Sequence, residues 1–554
     1  MKRKIVISAL LNQVQVGIVE NGRLVEYYLE RDRGDRVVGN IYKGRVENIL
    51  PGMGAAFVDL GLEKNGFLFL ADMPEQASGD GLKIGDTLLV QVSKEAVGTK
   101  GPRVTTDIAL PGRYLVLLPY QDHVGISRQI SQEAERARLK EIAQEIQPQE
   151  MGLIVRTVAE GCEREELQDD LQDLLVEWAT IQGKHRGKAK QGGTNSPRLV
   201  YQDYDLVHRI LRDLYVPENT KITVDSAELQ SRVEAELVSL GVKHLPPVEH
   251  YSGKVNLFTH LGLHKDLQRA RNNRVWLDCG GYLIFNQTEA LLSIDVNTGK
   301  YVGGQDLQAT VLKTNLQAAE EIAHQLRLRN VGGIVIIDFI DMSKPDNREA
   351  VLEQLATSLA QDKTRTNLLG FTRLGLVELT RKKSKRLLSH LLETDCPHCQ
   401  GTGRVTADET IAFQIAGEVN SLAVESEVEA ILVRCHSAVA AQLIGPGGSN
   451  LDILEEQTGK SIFVRGDDAL LRHSYQLVSG SVEQIQRQAY PVQVGDRLNL
   501  TILEPHEKHR GSGLARLDGF VIECLHCEHL VGQAVDLEIT ALHKTSALAR
   551  QIIN

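Results

Sequence analysis

Two short apolar runs, 290–296 and 333–337, constrain this chain more than any other feature, because each delivers a carboxylate at or beside its end, Asp295 and Asp338. Runs of this length and composition read as buried strands. An unpaired ionised carboxylate in an apolar setting is costly, so two of them at strand ends imply a shared cation or cationic partners. Between the runs, residues 305–329 repeat apolar side chains at helical spacing through Leu307, Val311, Leu312, Leu316, Ala319, Ile322, Ala323 and Leu326. A strand, helix, strand unit sets both acids on one rim of an α/β sheet. Asn297, two residues beyond Asp295, shares its face. Asp, Asn and Asp make an all-oxygen set of the kind that Mg2+ accepts while keeping several waters. An ordinary ion-paired sheet rim is the competing reading of this spacing.

The segments SIDVNTGK, AAEEIAHQLRLRNVGGIVIIDFIDM and CPHCQGTG resemble the catalytic half of the ribonuclease E/G family, and the likeness extends from Met1 to about Gly480. The resemblance implies that Asp295 and Asp338 hold a catalytic Mg2+ and that Asn297 orients the attacked phosphodiester. It places Arg365 near the scissile phosphate and gives the surrounding subdomain a fold like deoxyribonuclease I. With two clear carboxylates, one catalytic ion is the economical count. Cys396 and Cys399 supply half of a tetrahedral zinc site, and the resemblance implies that two subunits share one Zn2+ through them, in a homodimer or homotetramer. His398 is too confined within the same loop to reach that ion. A redox reading of the CxxC needs a thioredoxin-like βαβ context, which is not read here.

At 554 residues the chain needs several cores, and its 42% hydrophobic and 24% charged residues are globular values. The start, MKRKIVISALLNQVQVG, has the basic residues and apolar run of a signal peptide, but Asn12, Gln13 and Gln15 interrupt it and no small-residue cleavage site follows. With no apolar run of membrane length, a cytoplasmic protein is expected. Seven cysteines, odd in number and sparse, argue for free or metal-binding thiols rather than a disulfide framework. A net charge of -11 is awkward for binding phosphates, so its distribution matters more than its sum. Lys184, His185, Arg186, Lys188 and Lys190 form one basic run, and Arg381, Lys382, Lys383, Lys385 and Arg386 another. Taken alone, such runs are solvated faces or loops.

The expected architecture is multidomain, α/β and α+β. Residues 1–38 open a ribonuclease H-like scaffold with a hairpin turned at Asn21-Gly22, and 199–268 complete it. By resemblance this scaffold is not a second active site. Residues 39–110, short strands between Gly and Pro, form an inserted OB-fold barrel. There Phe57 and Phe67 would stack on bases and Lys100 would touch RNA, core filling being the alternative for the two rings. Residues 111–198 hold two helices, 131–146 and 163–181, and by resemblance a 5′-monophosphate sensor. Arg156 and Thr157 would hold the phosphate oxygens, while Gly112 and Val116 would lie against the terminal base. A surface loop is expected at 184–196.

The deoxyribonuclease I-like catalytic subdomain spans 269–390, and Cys279 within it reads as a structural thiol. A zinc link at 391–406 precedes a small KH-like domain at 407–489, in which Gly445-Pro446-Gly447-Gly448 stands at the RNA-approaching loop. Its proline removes one amide donor. Residues 490–554 read as a C-terminal TRAM-like β-barrel, where Cys524 and Cys527 are a weaker zinc pair. No long acidic, proline-rich tail of the kind by which some family members build a degradosome is read here, so that scaffolding role is not expected.

Together these imply an Mg2+-dependent endoribonuclease acting on single-stranded RNA in mRNA decay and rRNA and tRNA processing. It would be stimulated by a 5′-monophosphate and leave 5′-phosphate and 3′-hydroxyl ends. A catalytically idle RNA-binding protein and a phosphodiesterase acting on DNA are the alternatives.

Overall fold

Alternating apolar residues near the start build three antiparallel strands, Arg3–Leu10, Gln13–Glu20 and Arg23–Arg31. Asn21 and Gly22 turn the last two with φ of 51° and 83°, the left-handed pair that a two-residue primed turn requires. Thr220–Val224 joins the first strand in parallel and Val248–His250 extends the sheet beyond it. Helices Leu206–Leu214 and Ala227–Ser239 pack over a core that includes Ile5, Ile7, Val16, Ile18, Leu211 and Val233. The computed structural model describes all residues except 1–2, 32–36, 74–81, 97–99, 187–195, 218–219, 243–244, 300–306, 384–385, 426–427, 507–508, 518 and 553–554. The chain divides into two units, Met1–Leu392 and Glu393–Asn554.

Within the first unit, strands Ile41–Leu50, Ala55–Asp59, Gly66–Phe69, Arg103–Thr105 and Thr87–Lys94 close on themselves, because the first also pairs with the last of these. Arg198–Tyr201 adds to the free side of Ile41–Leu50. Residues 199–201 therefore belong to the barrel sheet, not to the scaffold whose second part was expected from 199; a strand edge with unpaired backbone takes a partner. A four-stranded sheet follows, ordered Val124–Ile126, Gly152–Val155, Leu115–Leu118, Leu110–Pro111, with helices Glu133–Ile146 and Arg164–Arg186. The second helix carries Lys184, His185 and Arg186 in its last turn, where loop was expected. Lys188 and Lys190 lie outside the described residues.

The subdomain bearing the two acids is a six-stranded sheet ordered Arg274–Trp276, Tyr282–Gln287, Leu291–Asn297, Gly333–Asp338, Val377–Arg381, Thr366–Phe371. Helices Leu307–Leu328 and Pro345–Leu359 bury one face of it over Leu283, Ile294, Val335, Ile337, Ile322 and Leu355. Period-two alternation sends the intervening residues to the opposite face, where Trp276, Ile334, Asp295 and Asp338 are exposed.

Helix Leu307–Leu328 is also tied to the first hairpin by buried ion pairs. Arg327 reaches Glu20 and Glu26, each at 2.7 Å, and Glu321 takes Arg23 at 2.5 Å. Burial pushes the Glu321 carboxyl up, but hydrogen bonding to His324 and the Arg23 charge outweigh it and hold the group at about 2. A carboxylate depressed on folding contributes stability above its unfolded pKa and loses it as pH falls toward the folded value. Glu321→Gln is therefore expected to flatten the acid limb of the stability curve between pH 4.5 and 2. The difference between pH 7 and pH 3, on the order of 2 kcal/mol, is measurable by urea unfolding at the two pH values.

In the second unit, helix Asp408–Glu425 packs on a sheet ordered Ser461–Gly466, Ala430–Cys435, Tyr475–Gly480. The first two strands are parallel, and the chain between them forms helices Ser437–Ile444 and Ser449–Thr458 joined through Gly445–Gly448. The helix, GPGG, helix connection is thus present, and so is a parallel pair with a helical crossover, the βαβ context taken above as missing. Cys396 and Cys399 precede the Asp408–Glu425 helix and lie outside that crossover.

The last 60 or so residues form a six-stranded sheet ordered Arg497–Thr501, Ala534–Leu542, Ser546–Gln551, Phe520–Leu525, Gly513–Leu517, Glu504–Pro505. Cys524 and Cys527, both fully buried in its core, are joined by a disulfide. This corrects their reading as a weak zinc pair and as free thiols: the turn at His526, with φ of 60°, leaves strand Phe520–Leu525 and brings Cys527 back beside Cys524 on the core side. Among the described residues no helix is long and apolar enough to cross a membrane.

Candidate functional site

Strands Leu291–Asn297 and Gly333–Asp338 pair in parallel with Asp295 and Asp338 as direct partners. Adjacent strands lie about 4.8 Å apart and register partners project to the same face. Two carboxylates therefore stand side by side on the open face. The Asn297 amide donates to Asp295 Oδ2 at 2.7 Å. Just beyond, Gly299 has φ +63° and a Cβ there would come within 2.4 Å of the Gly280 carbonyl, so the turn that ends the Asn297 strand admits only glycine. Burial raises the Asp338 carboxyl above its usual range, and the charges of Asp295 and Asp341 add to it. Among the described residues neither Asp295 nor Asp338 has an ion-pair partner, unlike the ion-paired rim that competed for this spacing. A pair of acceptor-only groups that repel each other suits an oxygen-seeking divalent cation.

Sequence reasoning missed the residue that holds this rim from behind. Asn315, fully buried on helix Leu307–Leu328, donates to the Ile340 carbonyl at 2.8 Å and accepts from the Ile340 amide at 3.1 Å. That clamp fixes the segment between Asp338 and Asp341. A polar residue inside an apolar helical stripe was the available signal.

The structure does not bring Arg365 to the rim. Thr366 and Gly333 both pair with Arg381, so Arg365 stands at the far end of the sheet from Asp338. Its neighbour Lys363 accepts from Gln129 at 2.8 Å through its carbonyl, and Gln129 accepts from the Thr157 hydroxyl at 3.1 Å. Arg365 thus lies near Thr157 rather than near the acids. Arg381, in the second basic run, is buried and braced by Asp362 and the Val331 carbonyl, both at 2.7 Å. It belongs to the core, and Lys385 lies outside the described residues.

Gly112, Val116, Arg156 and Thr157 do come together. Val116 pairs with Ile154, two residues before Arg156, so Val116 and Arg156 share a face. Arg156 donates to the Gly112 carbonyl through Nη1 and to Asp213 Oδ1 through Nη2, the latter at 2.6 Å. Thr157 shares a hydrogen bond with Ser127 Oγ at 2.8 Å. Asp170, also missed, accepts from the amides of Arg113, Tyr114 and Leu115 at 2.8, 2.9 and 2.8 Å. A Cβ at Gly112 would meet that carboxylate at 2.6 Å, which is why glycine stands there.

On the barrel, Phe57 and Phe67 are cross-strand partners with ring centroids 5.8 Å apart, half-buried rather than in the core. Phe69 extends the row at 4.9 Å from Phe67, and Arg103 lies 4.5 Å over its ring. The Phe-Leu-Phe alternation was the signal for Phe69. Lys100 is exposed on the same barrel, beside residues 97–99 that lie outside the description. Cys396 is exposed in a turn where the amides of Cys399 and His398 lower its thiol pKa, a setting that favours thiolate.

An acid pair suited to a divalent cation, an aromatic face on a small barrel and an Arg-Thr pair together suit a ligand that carries phosphates and unpaired bases. Residues 109–384 match the model of the Ribonuclease E/G family, 37–106 that of the S1 RNA binding domain, and 395–480 that of the RNase E/G, Thioredoxin-like domain. The chain is 38% identical over 501 residues to Ribonuclease G of Salmonella typhimurium, spanning 86% of this chain and 100% of that one. It is 39% identical over 484 residues to Ribonuclease G of Escherichia coli K12, at 84% and 97% coverage. Against Ribonuclease E of a Nostoc species, identity is 41% over 381 residues, covering 67% of this chain and 55% of the relative. The chain belongs to the ribonuclease E/G family. Membership places it among hydrolases that act on RNA, and the barrel expected at 39–110 is its S1 domain. The thioredoxin-like description of 395–480, consistent with the parallel crossover there, replaces the KH-like expectation.

Proposed function

We propose that the chain is an Mg2+-dependent endoribonuclease that cuts single-stranded RNA, leaves 5′-phosphate and 3′-hydroxyl ends, and is stimulated by a 5′-monophosphate. The observation that carries this reading is the register pairing of Asp295 with Asp338 beside Asn297. Bound there, Mg2+ would polarise a phosphoryl oxygen and acidify a water for in-line attack. Asp295 and Asp338 supply the oxygens that hold the ion, and neutralising their mutual repulsion favours its binding. The Asn297 amide, now on Asp295, is placed to donate to a phosphate oxygen and orient the diester. No nucleophilic side chain is needed; the Cys279 sulfur is half-buried against Thr314 at 3.9 Å.

Phe57 and Phe67 stack on bases of the strand led to this rim, and Lys100 meets its backbone. Arg156 and Thr157 take the 5′ phosphate, with Gly112 and Val116 against the terminal base. Cys396 and Cys399 share Zn2+ with the same pair of a second subunit, giving a homodimer or homotetramer. The order of the first sheet supports a ribonuclease H-like scaffold, the two-layer sheet around the acids a deoxyribonuclease I-like subdomain, and the final barrel a TRAM-like one. Cytoplasmic mRNA decay and rRNA and tRNA processing are the roles this activity serves.

Side-by-side digestion of matched single-stranded RNA and DNA, with Mg2+ and with EDTA, tests the reading. RNA alone should be cut, only with Mg2+, with ends that mass spectrometry identifies as 5′-phosphate and 3′-hydroxyl. Equal digestion of DNA, or cleavage in EDTA, contradicts it.

A further inference from the structure

The open face of the catalytic sheet carries an aromatic pair that the mechanism above does not use. Tyr282 is the register partner of Trp276 on one side and of Asn297 on the other. Since partners project to one face, Trp276, Tyr282 and Asn297 form a row across the sheet, and Arg274, Ile284, Asp295 and Asp338 form the next. Trp276 is 54% exposed. Its ring lies 5.2 Å from that of Tyr282, tilted by 60°, and the Arg274 guanidinium stands 4.7 Å over the Tyr282 ring. Arg269 donates to the Trp276 carbonyl and steadies this short edge strand.

A lone exposed aromatic says little, but Trp276 belongs to an aromatic pair with a guanidinium over one ring, the grouping that stacks an unpaired base. Here the neighbours state the partner's chemistry. Strands spaced about 4.8 Å apart put Trp276 roughly 10 Å from Asn297, within a nucleotide or so of a phosphate held at the rim. Arg274 adds positive charge for a backbone phosphate, and aromatic faces accept any unpaired base because every base has a π face. A duplex, with its base faces already stacked on each other, has none to offer.

We propose that Trp276, with Tyr282 and Arg274, forms a stacking subsite for a nucleobase of the single-stranded RNA that flanks the scissile phosphate. This rests on the reading of Asp295, Asn297 and Asp338 as the hydrolytic site.

The chain has two tryptophans, and Trp178 is only 3% exposed, so Trp178→Phe leaves Trp276 as the sole tryptophan, excited apart from the tyrosines at the red edge of their absorption. In that background, with Asp295→Asn to block turnover, a single-stranded oligoribonucleotide is titrated while its binding is followed by anisotropy of a terminal dye. Emission should be quenched in proportion to binding, and a strand abasic only at the nucleotides flanking the cleavage position, its other bases left for the barrel, should bind with little quenching. In the otherwise unaltered enzyme, Trp276→Ala should raise KM on the order of tenfold, more than it lowers kcat, and Trp276→Phe should recover most of the loss. Saturation without quenching, or an unchanged KM in Trp276→Ala, overturns the subsite. So does a change of solution mass in Trp276→Ala with KM intact, which would make this face a subunit contact. Failure of the hydrolytic reading would show separately, as an unaltered enzyme that leaves the oligoribonucleotide uncut.

Discussion

Asp295→Asn is expected to slow RNA cleavage by about a thousandfold or more, the rate equivalent of roughly 4 kcal/mol of lost charge stabilisation in the transition state. The loss should be catalytic rather than structural. Asp295 makes no ion pair among the described residues, and its charge pushes up the carboxyl of Asp338 across the strand pair. Removing that charge relieves a repulsion, so the variant without metal should melt at or above the temperature of the parent. Mg2+ should then stabilise the parent, because an ion that binds only the folded state raises its stability. It should do little for the variant. Single-turnover cleavage of an end-labelled oligonucleotide, paired with melting curves in Mg2+ and in EDTA, separates the two effects. A variant that cuts like the parent would remove Asp295 from the mechanism.

Arg156→Ala should abolish the advantage of a 5′-monophosphate while leaving 5′-hydroxyl substrates cut at the parental rate. A charge-assisted contact to phosphate contributes about 1.5–3 kcal/mol, so the preference at stake is roughly 10- to 100-fold. The guanidinium is already oriented by the Gly112 carbonyl and Asp213, next to Thr157 in the chain. Arg156→Lys keeps the charge without the planar fork and should restore only part of the preference. Competition assays with 5′-monophosphate, triphosphate and hydroxyl forms of one RNA provide the measurement. An equal loss on all three would mean that Arg156 serves the ion pairs around Asp213, which also takes Arg212 at 2.9 Å, and not the substrate.

Local periodicity carried much of this. Helix Leu307–Leu328 falls within the 305–329 stripe, and strands Leu291–Asn297 and Gly333–Asp338 follow the two apolar runs to within a residue. The shared face of Asp295 and Asn297 follows from the two-residue repeat of a strand. Arg365 was misplaced because its position depends on the order and direction of the last two strands, which no local pattern states. Arg381 looked like one more surface cation in a basic run, yet the sheet buries it against Asp362. The clamp of Asn315 on Ile340 and the meeting of Trp276 with Tyr282 beside Asn297 were likewise hidden, each being a contact between segments separate along the chain.

By itself the sequence determined which segments become strands and helices and which side chains share a face, since these depend on neighbours within a few residues, and the helix between the two acid-bearing strands made them parallel. Only the tertiary structure decided that Asp295 lies opposite Asp338, that Arg365 lies at the other end, and which aromatics border the rim. Register is set by the packing of a whole sheet against its helices, and a shift of one residue would send every one of these side chains to the other face.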